Sequence, residues 1–190
     1  MLLACRFDEP LNLLNATICS LWLPDCHLPE IVLMGTRIGG QLNLTNATLS
    51  NPGGIALNGD GLTVGQHLVC RKLKAEGTLL FRTAHIGGQL SLTDAALSNP
   101  KGSALHGNRL TVGQDMFCHR GSRIEGATVL SAAQIKGVLG FVGVSVNTVA
   151  MEHARAGTLL FHPASSPERL DLTHAQLASW TMTPRPGLKI

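Results

Sequence analysis

The sequence predicts an all-β chain, wound as a parallel β-helix of square (quadrilateral) section in about seven coils, and three observations predict it. Leu13, Ile18, Leu23, Leu28, Leu33 and Ile38 sit five residues apart without a miss. That period fits neither a helix nor an ordinary strand, but it suits a coil whose sides are about five residues long with one inward residue at each centre. Residues 38–70 match residues 86–118 at 22 of 33 positions, an internal duplication offset by 48 residues, and a repeat of that kind signals a stacked architecture. Finally, when four sides make one coil, residues sharing a side fall into columns that are almost wholly apolar, although spacing alone places them.

The first side collects Leu13, Leu33, Gly59, Phe81, Gly107, Leu130 and Phe161, and the second Ile18, Ile38, Val64, Ile86, Val112, Ile135 and Ser166. The third collects Leu23, Leu44, Cys70, Leu92, Cys118, Phe141 and Leu172, and the fourth Leu28, Leu49, Ala75, Leu97, Ile124, Val146 and Leu177. The last coil is placed by GTLLF at 157–161, which repeats GTLLF at 77–81, and by the matching spacing of Phe161, Ser166, Leu172 and Leu177 to Phe81, Ile86, Leu92 and Leu97. Between the second and third sides the spacing is six in many coils, across GGQ, GQH, GGQ, GQD and KGV, where glycine permits a bulged corner. A lumen filled by like aliphatic residues gains about 1.5 to 3 kcal/mol for each side chain fully buried. It needs no aromatic centre, and each coil leans on its neighbours.

Asn15-Ala16-Thr17-Ile18, Asn46-Ala47-Thr48-Leu49, Asp94-Ala95-Ala96-Leu97 and His174-Ala175-Gln176-Leu177 put Ala two places before the apolar centre. In this the chain resembles the pentapeptide-repeat family, a likeness that implies a right-handed winding. The whole pattern, CRFDEPLNL and IGGQLNL in particular, is similar to degenerate pentapeptide-like proteins of actinobacteria that carry the label membrane-associated oxidoreductase. The resemblance covers residues 4–178 and supplies no catalytic residue. Residues 1–178 are read as a single β-helix domain and 179–190 as a Pro-rich C-terminal tail.

Only 14% of the 190 residues are charged, and Gly is abundant at 21, as expected of one repeat array with many corners. Twelve Asp and Glu against 15 Lys and Arg argue against the ladders of acidic side chains by which gyrase-targeting pentapeptide proteins imitate DNA. Residues 1–5 resemble the end of a lipoprotein signal but have no charged start and no apolar stretch of adequate length. The charge-free run from Gly137 to Met151 is 15 residues, short of the roughly 18 to 20 needed to span a bilayer, and reads as a buried coil.

The cysteines and histidines do not form ligand sets by spacing, so no catalytic, cofactor-binding or metal residues and no cofactor are assigned, and the chain is not expected to be an enzyme. Cys70 and Cys118 fall in one inward column two coils apart, too far for a disulfide. Cys5 and Cys26 are about one coil apart and close enough to approach each other, and Cys19 has no evident partner. Free thiols indicate a reducing cytoplasm, hence a cytoplasmic protein, peripheral to a membrane if it docks there. His67 is replaced by Asp115 in the sister repeat and His106 by Asn58, while His85 shares an outward column with Arg37, Thr63, Thr111 and Gln134.

Two surface features stand out. Arg71, Lys72 and Lys74 answer, across the duplication, to His119, Arg120 and Arg123, gathering Arg71, Lys72, Lys74, Arg120 and Arg123 on one edge as a candidate anion-binding corner, with Asp94 on the intervening coil. The paired segments SNPGG and SNPKG expand alternate coils on one side, making Asn51, Pro52, Asn99, Pro100 and Lys101 candidate partner loops. The preferred function is a noncatalytic scaffold or protein-interaction module. It binds an unknown protein partner or self-associates through its coil ends, as bactofilin β-helix filaments do. The alternatives are a binder of acidic membrane surface or nucleic acid through the basic corner, and an oxidoreductase as the family label implies.

Overall fold

The computed structural model describes residues 2–183 and shows a parallel β-solenoid of about eight turns, with no helix among those residues. It is consistent with the right-handed parallel β-helix expected. All strand pairings are parallel, and most strands are two-residue rungs, as short sides between tight corners require. Eight levels at about 4.8 Å make a stack of about 34 Å. No helix of the described residues is long and apolar enough to cross a membrane. Most of the Pro-rich tail lies outside the described residues, and the last strand runs Gln176–Met182.

Through the first six coils the columns stand as the spacing placed them. On the second side Ile18 pairs with Ile38, then Val64, Ile86, Val112 and Ile135 follow in register. The seventh coil differs. Ile135 pairs with Ala156, not Ser166, and Ala156 with Leu177, which is therefore a second-side residue and not a fourth-side one. Phe161 stacks on Phe141 on the third side and leads to Met182, while the first side continues from Leu130 through Met151 to Leu172. The repeated GTLLF thus lies on the first side at 77–81 and on the third at 157–161. Every side carries the same inward pattern, so a local match cannot say which side it occupies.

Each side also sends in a second residue, two places before the centre. On the third side these are Leu42, Leu68, Leu90, Met116, Leu139 and Leu159, all buried. On the second and fourth sides this position is mostly smaller, with Ala84, Ala133, Ala154, Ala47 and Ala95 buried. Complementary volumes fill the lumen: Phe81 occupies the space above Gly59, where an added Cβ would lie 2.8 Å from its ring. Higher up, Phe141 and Phe161 pack with ring centroids 5.7 Å apart. The lumen is thus a continuous apolar cluster.

Two opposite corners explain the small second residue. From the first to the second side the chain closes a turn in which Ala16 donates to the Leu13 carbonyl, Ala84 to Phe81 and Ala133 to Leu130. The third to fourth side does the same with Ala47 to Leu44 and Ala95 to Leu92. The residue just before each donor lies at positive φ, the mark of a type II turn. The twelve non-glycine residues at positive φ among the described residues all sit at these two corners: Asn15, Thr83, Arg109, Ala132, His153 and His174 at one, and Ala4, Asp25, Asn46, Lys72, Asp94 and Arg120 at the other. Asn and Asp tolerate this region; Thr83 and Ala132 are held there by the stack.

The fourth-to-first corner has no such turn and carries the expansions. Strands Thr48–Asn58 and Ala96–His106 bulge there, and register shifts mark both pairings. Gly77 and Gly126 lie one coil above the two bulges at positive φ, where a side chain would strike the Asn51 or Asn99 carbonyl.

Candidate functional site

The basic corner forms as the columns imply. Lys72, Asp94 and Arg120 are successive steps of one corner ladder, since Lys72 donates to the Thr93 carbonyl and Asp94 to that of His119. Lys74, Ala96 and Arg123 are successive steps of the adjoining outward ladder. Arg71, Lys72, Lys74, Arg120 and Arg123 are all exposed. Their charges are not equally available: Arg123 pairs with Glu125, which also accepts from Ser98 and is held below the ordinary Glu range chiefly by Arg123. Asp94 sits between Lys72 and Arg120, dividing the remaining positive charge.

The two loops are tied down by their asparagines. Asn99 is buried, and its side-chain amide donates to Thr78 Oγ1 (2.9 Å) and to the Ser103 carbonyl (3.3 Å). The Asn51 amide donates to the Ile55 carbonyl at 3.0 Å. Pro52, Pro100 and Lys101 are exposed, so the outward part of each loop is its proline tip. Between Pro100-Lys101 and Ser165-Ser166 runs an open groove of about 980 Å³, floored by Glu125, Gly126, Asn147 and Thr148.

A third feature was not read from the sequence. Thr83, Arg109, Thr111, Ala132, Gln134, His153 and Arg155 line an open groove of about 640 Å³ along the first-to-second corner. Arg109, Ala132 and His153 are successive corner residues, and Thr111, Gln134 and Arg155 successive outward residues of the second side. The spacing already put Thr111 and Gln134 in a column with His85. Arg155 was missed because the seventh coil was registered on Ser166 in place of Ala156.

Several histidines and thiols are engaged within the fold. His67 and Asp115, equivalent in the duplication, do one job: His67 Nδ1 accepts the Gln89 N–H (3.0 Å) and Asp115 Oδ1 the Val138 N–H (2.8 Å). Their exchange conserves an acceptor at the second-to-third corner. His153 and His174 stack with centroids 4.9 Å apart. His119 packs on Phe117 at 4.5 Å and its Nε2 is buried without a hydrogen-bond partner; burial first, then Arg120, lowers its pKa.

All five cysteines are free. Cys70 and Cys118 share the third-side column with Leu92 between them, and burial pushes both thiols up to about 12. The Cys5 N–H donates to Cys26 Sγ at 3.4 Å, so these two do meet. Among the described residues no three His, Cys, Asp or Glu side chains are grouped to hold a metal ion. No family model, curated protein or solved structure matches the chain.

Proposed function

We propose that this chain is a degenerate pentapeptide-repeat-like β-helix that acts as a noncatalytic scaffold and associates end to end with further copies of itself. The observation that carries the reading is the state of the two terminal rungs. Leu11, Leu13, Ile18 and Leu21 are only half-buried, whereas Ile31, Leu33, Ile38 and Leu42, one coil further in, are closed off. At the other end Leu172, Leu177 and Met182 are half-buried and Trp180, in an inward column, is 51% exposed. Among the described residues both faces have inward residues five apart on their sides, and both end in strands that no further strand pairs, a template for another strand. Docking one face on the other adds a rung to each column, and because the two surfaces differ, the contact is head to tail and open-ended.

Sedimentation velocity across a concentration series tests this. Assemblies should grow with concentration and shrink when Ile18→Lys or Trp180→Glu places a charge on either face, while Thr63→Lys on the outer wall leaves them intact. A particle that stays monomeric at its highest soluble concentration would sink the reading.

A second reading is supported by the shared exposure of Arg71, Lys72, Lys74 and Arg120: docking of this corner on an acidic membrane surface. Flotation with vesicles containing phosphatidylserine should then weaken with salt and with Lys72→Glu/Arg120→Glu. Flotation indifferent to both would remove it.

A further inference from the structure

The geometry points to the groove along the first-to-second corner as a binding site for a soluble diphosphate-bearing molecule, held between Arg109 and Arg155. Ala132 is the reason there is a groove. It occupies the corner step between Arg109 and His153, and its methyl leaves a notch between two long side chains. The steps are about 4.8 Å apart, so Arg109 and His153 start roughly 10 Å from each other across the notch. Arg155 enters from the neighbouring ladder, beside His153 and directly above Gln134.

The groups facing the notch are nearly all donors: two guanidinium forks, the Gln134 amide, the hydroxyl of Thr111 and the ring of His153. Among the described residues Arg109, Thr111, Gln134 and Arg155 spend none of these side chains on an internal bond, unlike Arg82, Arg123 and Arg169, each of which is paired with a carboxylate. The nearest acids along the corner are engaged elsewhere. Asp60 takes Arg82, and Glu152 accepts from Ser131 at 2.5 Å; neither lines the groove. The basic corner on the opposite edge has Asp94 between its charges, whereas Ala132 and Gln134 stand between these.

Two planar forks each match a phosphoryl group through paired N–H donors. Two arginines on either side of a narrow notch therefore suit two linked phosphoryl groups better than one. No Phe, Trp or Tyr lines the groove, and the His153 ring is already stacked on His174, so the diphosphate, and not a base stacked beside it, supplies the recognition.

Calorimetric titration with inorganic pyrophosphate tests the site, with orthophosphate as the single-phosphoryl comparison. Pyrophosphate should bind more tightly than orthophosphate, and Arg155→Gln and Arg109→Asn should each weaken it by about tenfold or more. Arg109 lies at φ +59°, a conformation Asn accepts more readily, so Arg109→Asn should not lower the melting temperature and lost binding cannot be ascribed to unfolding. Lys72→Gln/Arg120→Gln on the opposite edge should leave binding unchanged. Absence of pyrophosphate binding, equal loss in the Lys72/Arg120 variant, or binding only to acidic vesicles would each overturn the assignment.

Discussion

A methyl group on Gly87 would lie less than 3.0 Å from the carbonyl oxygen of Gly65, one coil below. Neither glycine is at positive φ, so it is the closeness of stacked backbones at the second-to-third corner that demands them. Gly113 stands in the same relation to Gly87, whereas at Gly39 the nearest such atom is the Cys19 carbonyl at 3.8 Å. Gly87→Ala should therefore destabilise the fold by about 2 to 4 kcal/mol, as forced backbone displacement in a packed stack does, and Gly39→Ala should be nearly neutral. Urea titrations of the two variants make the comparison, and equal effects would refute the steric account.

Thr83 is β-branched and sits at φ +53°, a conformation that costs a non-glycine residue roughly 1 to 2 kcal/mol. Its hydroxyl donates to the Arg82 carbonyl at 2.7 Å. Thr83→Asn, which suits the same φ, should raise stability by about 1 kcal/mol, read as a higher melting temperature. A fall would mean that the hydroxyl bond outweighs the strain.

The thiols should separate into classes under a maleimide. Cys19 is exposed and should label at once. Cys70 and Cys118, buried and with pKa values raised to about 12, should label only on global unfolding, since the thiolate is the reacting species. Mass mapping of labelled peptides in native buffer decides this. Rapid labelling of Cys118 would show that the lumen opens.

Acid should weaken the fold in two separate windows. His119 and His106 have folded pKa values below the ordinary His range, each through burial first, with Arg120 and Arg82 respectively adding to it. Their neutral forms fit the fold, so the contribution is whole above the unfolded value of about 6.5 and is lost as pH falls through the depressed folded values. Asp171, held down to about 2 chiefly by its bonds with Thr173, then Arg169, is lost only at much lower pH. Melting temperatures between pH 7.5 and 5, a range chosen around that His value of about 6.5, should decline, and His119→Leu should flatten the decline. An unchanged slope in that variant would exclude His119 as the source.

What the sequence made legible follows from what repeats. Ile18, Ile38, Val64, Ile86, Val112 and Ile135 could be stacked on paper because each must fill the same slot. The duplication likewise placed Lys72 and Arg120 on one edge with Asp94 between. The register after Ile135 was hidden, since Phe161 fits a first-side slot as well as a third-side one, and that slip concealed Arg155 beside Gln134. The second inward residue was hidden for another reason: at the corner turns it is often Ala, too small to announce burial by hydropathy. The closures at Thr83 and Ala132 carry no turn-forming residue type, so only backbone geometry reveals them.

The fourth-to-first corner, where the bulges sit, has a practical consequence. From Leu13 to Leu33 the circuit takes 20 residues and from Leu33 to Gly59 it takes 26, with one of the extra residues at the Gly39-Gly40-Gln41 corner and the rest spilling out at the SNPGG bend. That edge is where foreign peptides could be grafted for display, as a mast accepts a crossbeam at a fitting already cut for one. Presented from the SNPGG and SNPKG bends, two such grafts would stand about 10 Å apart on a rigid post.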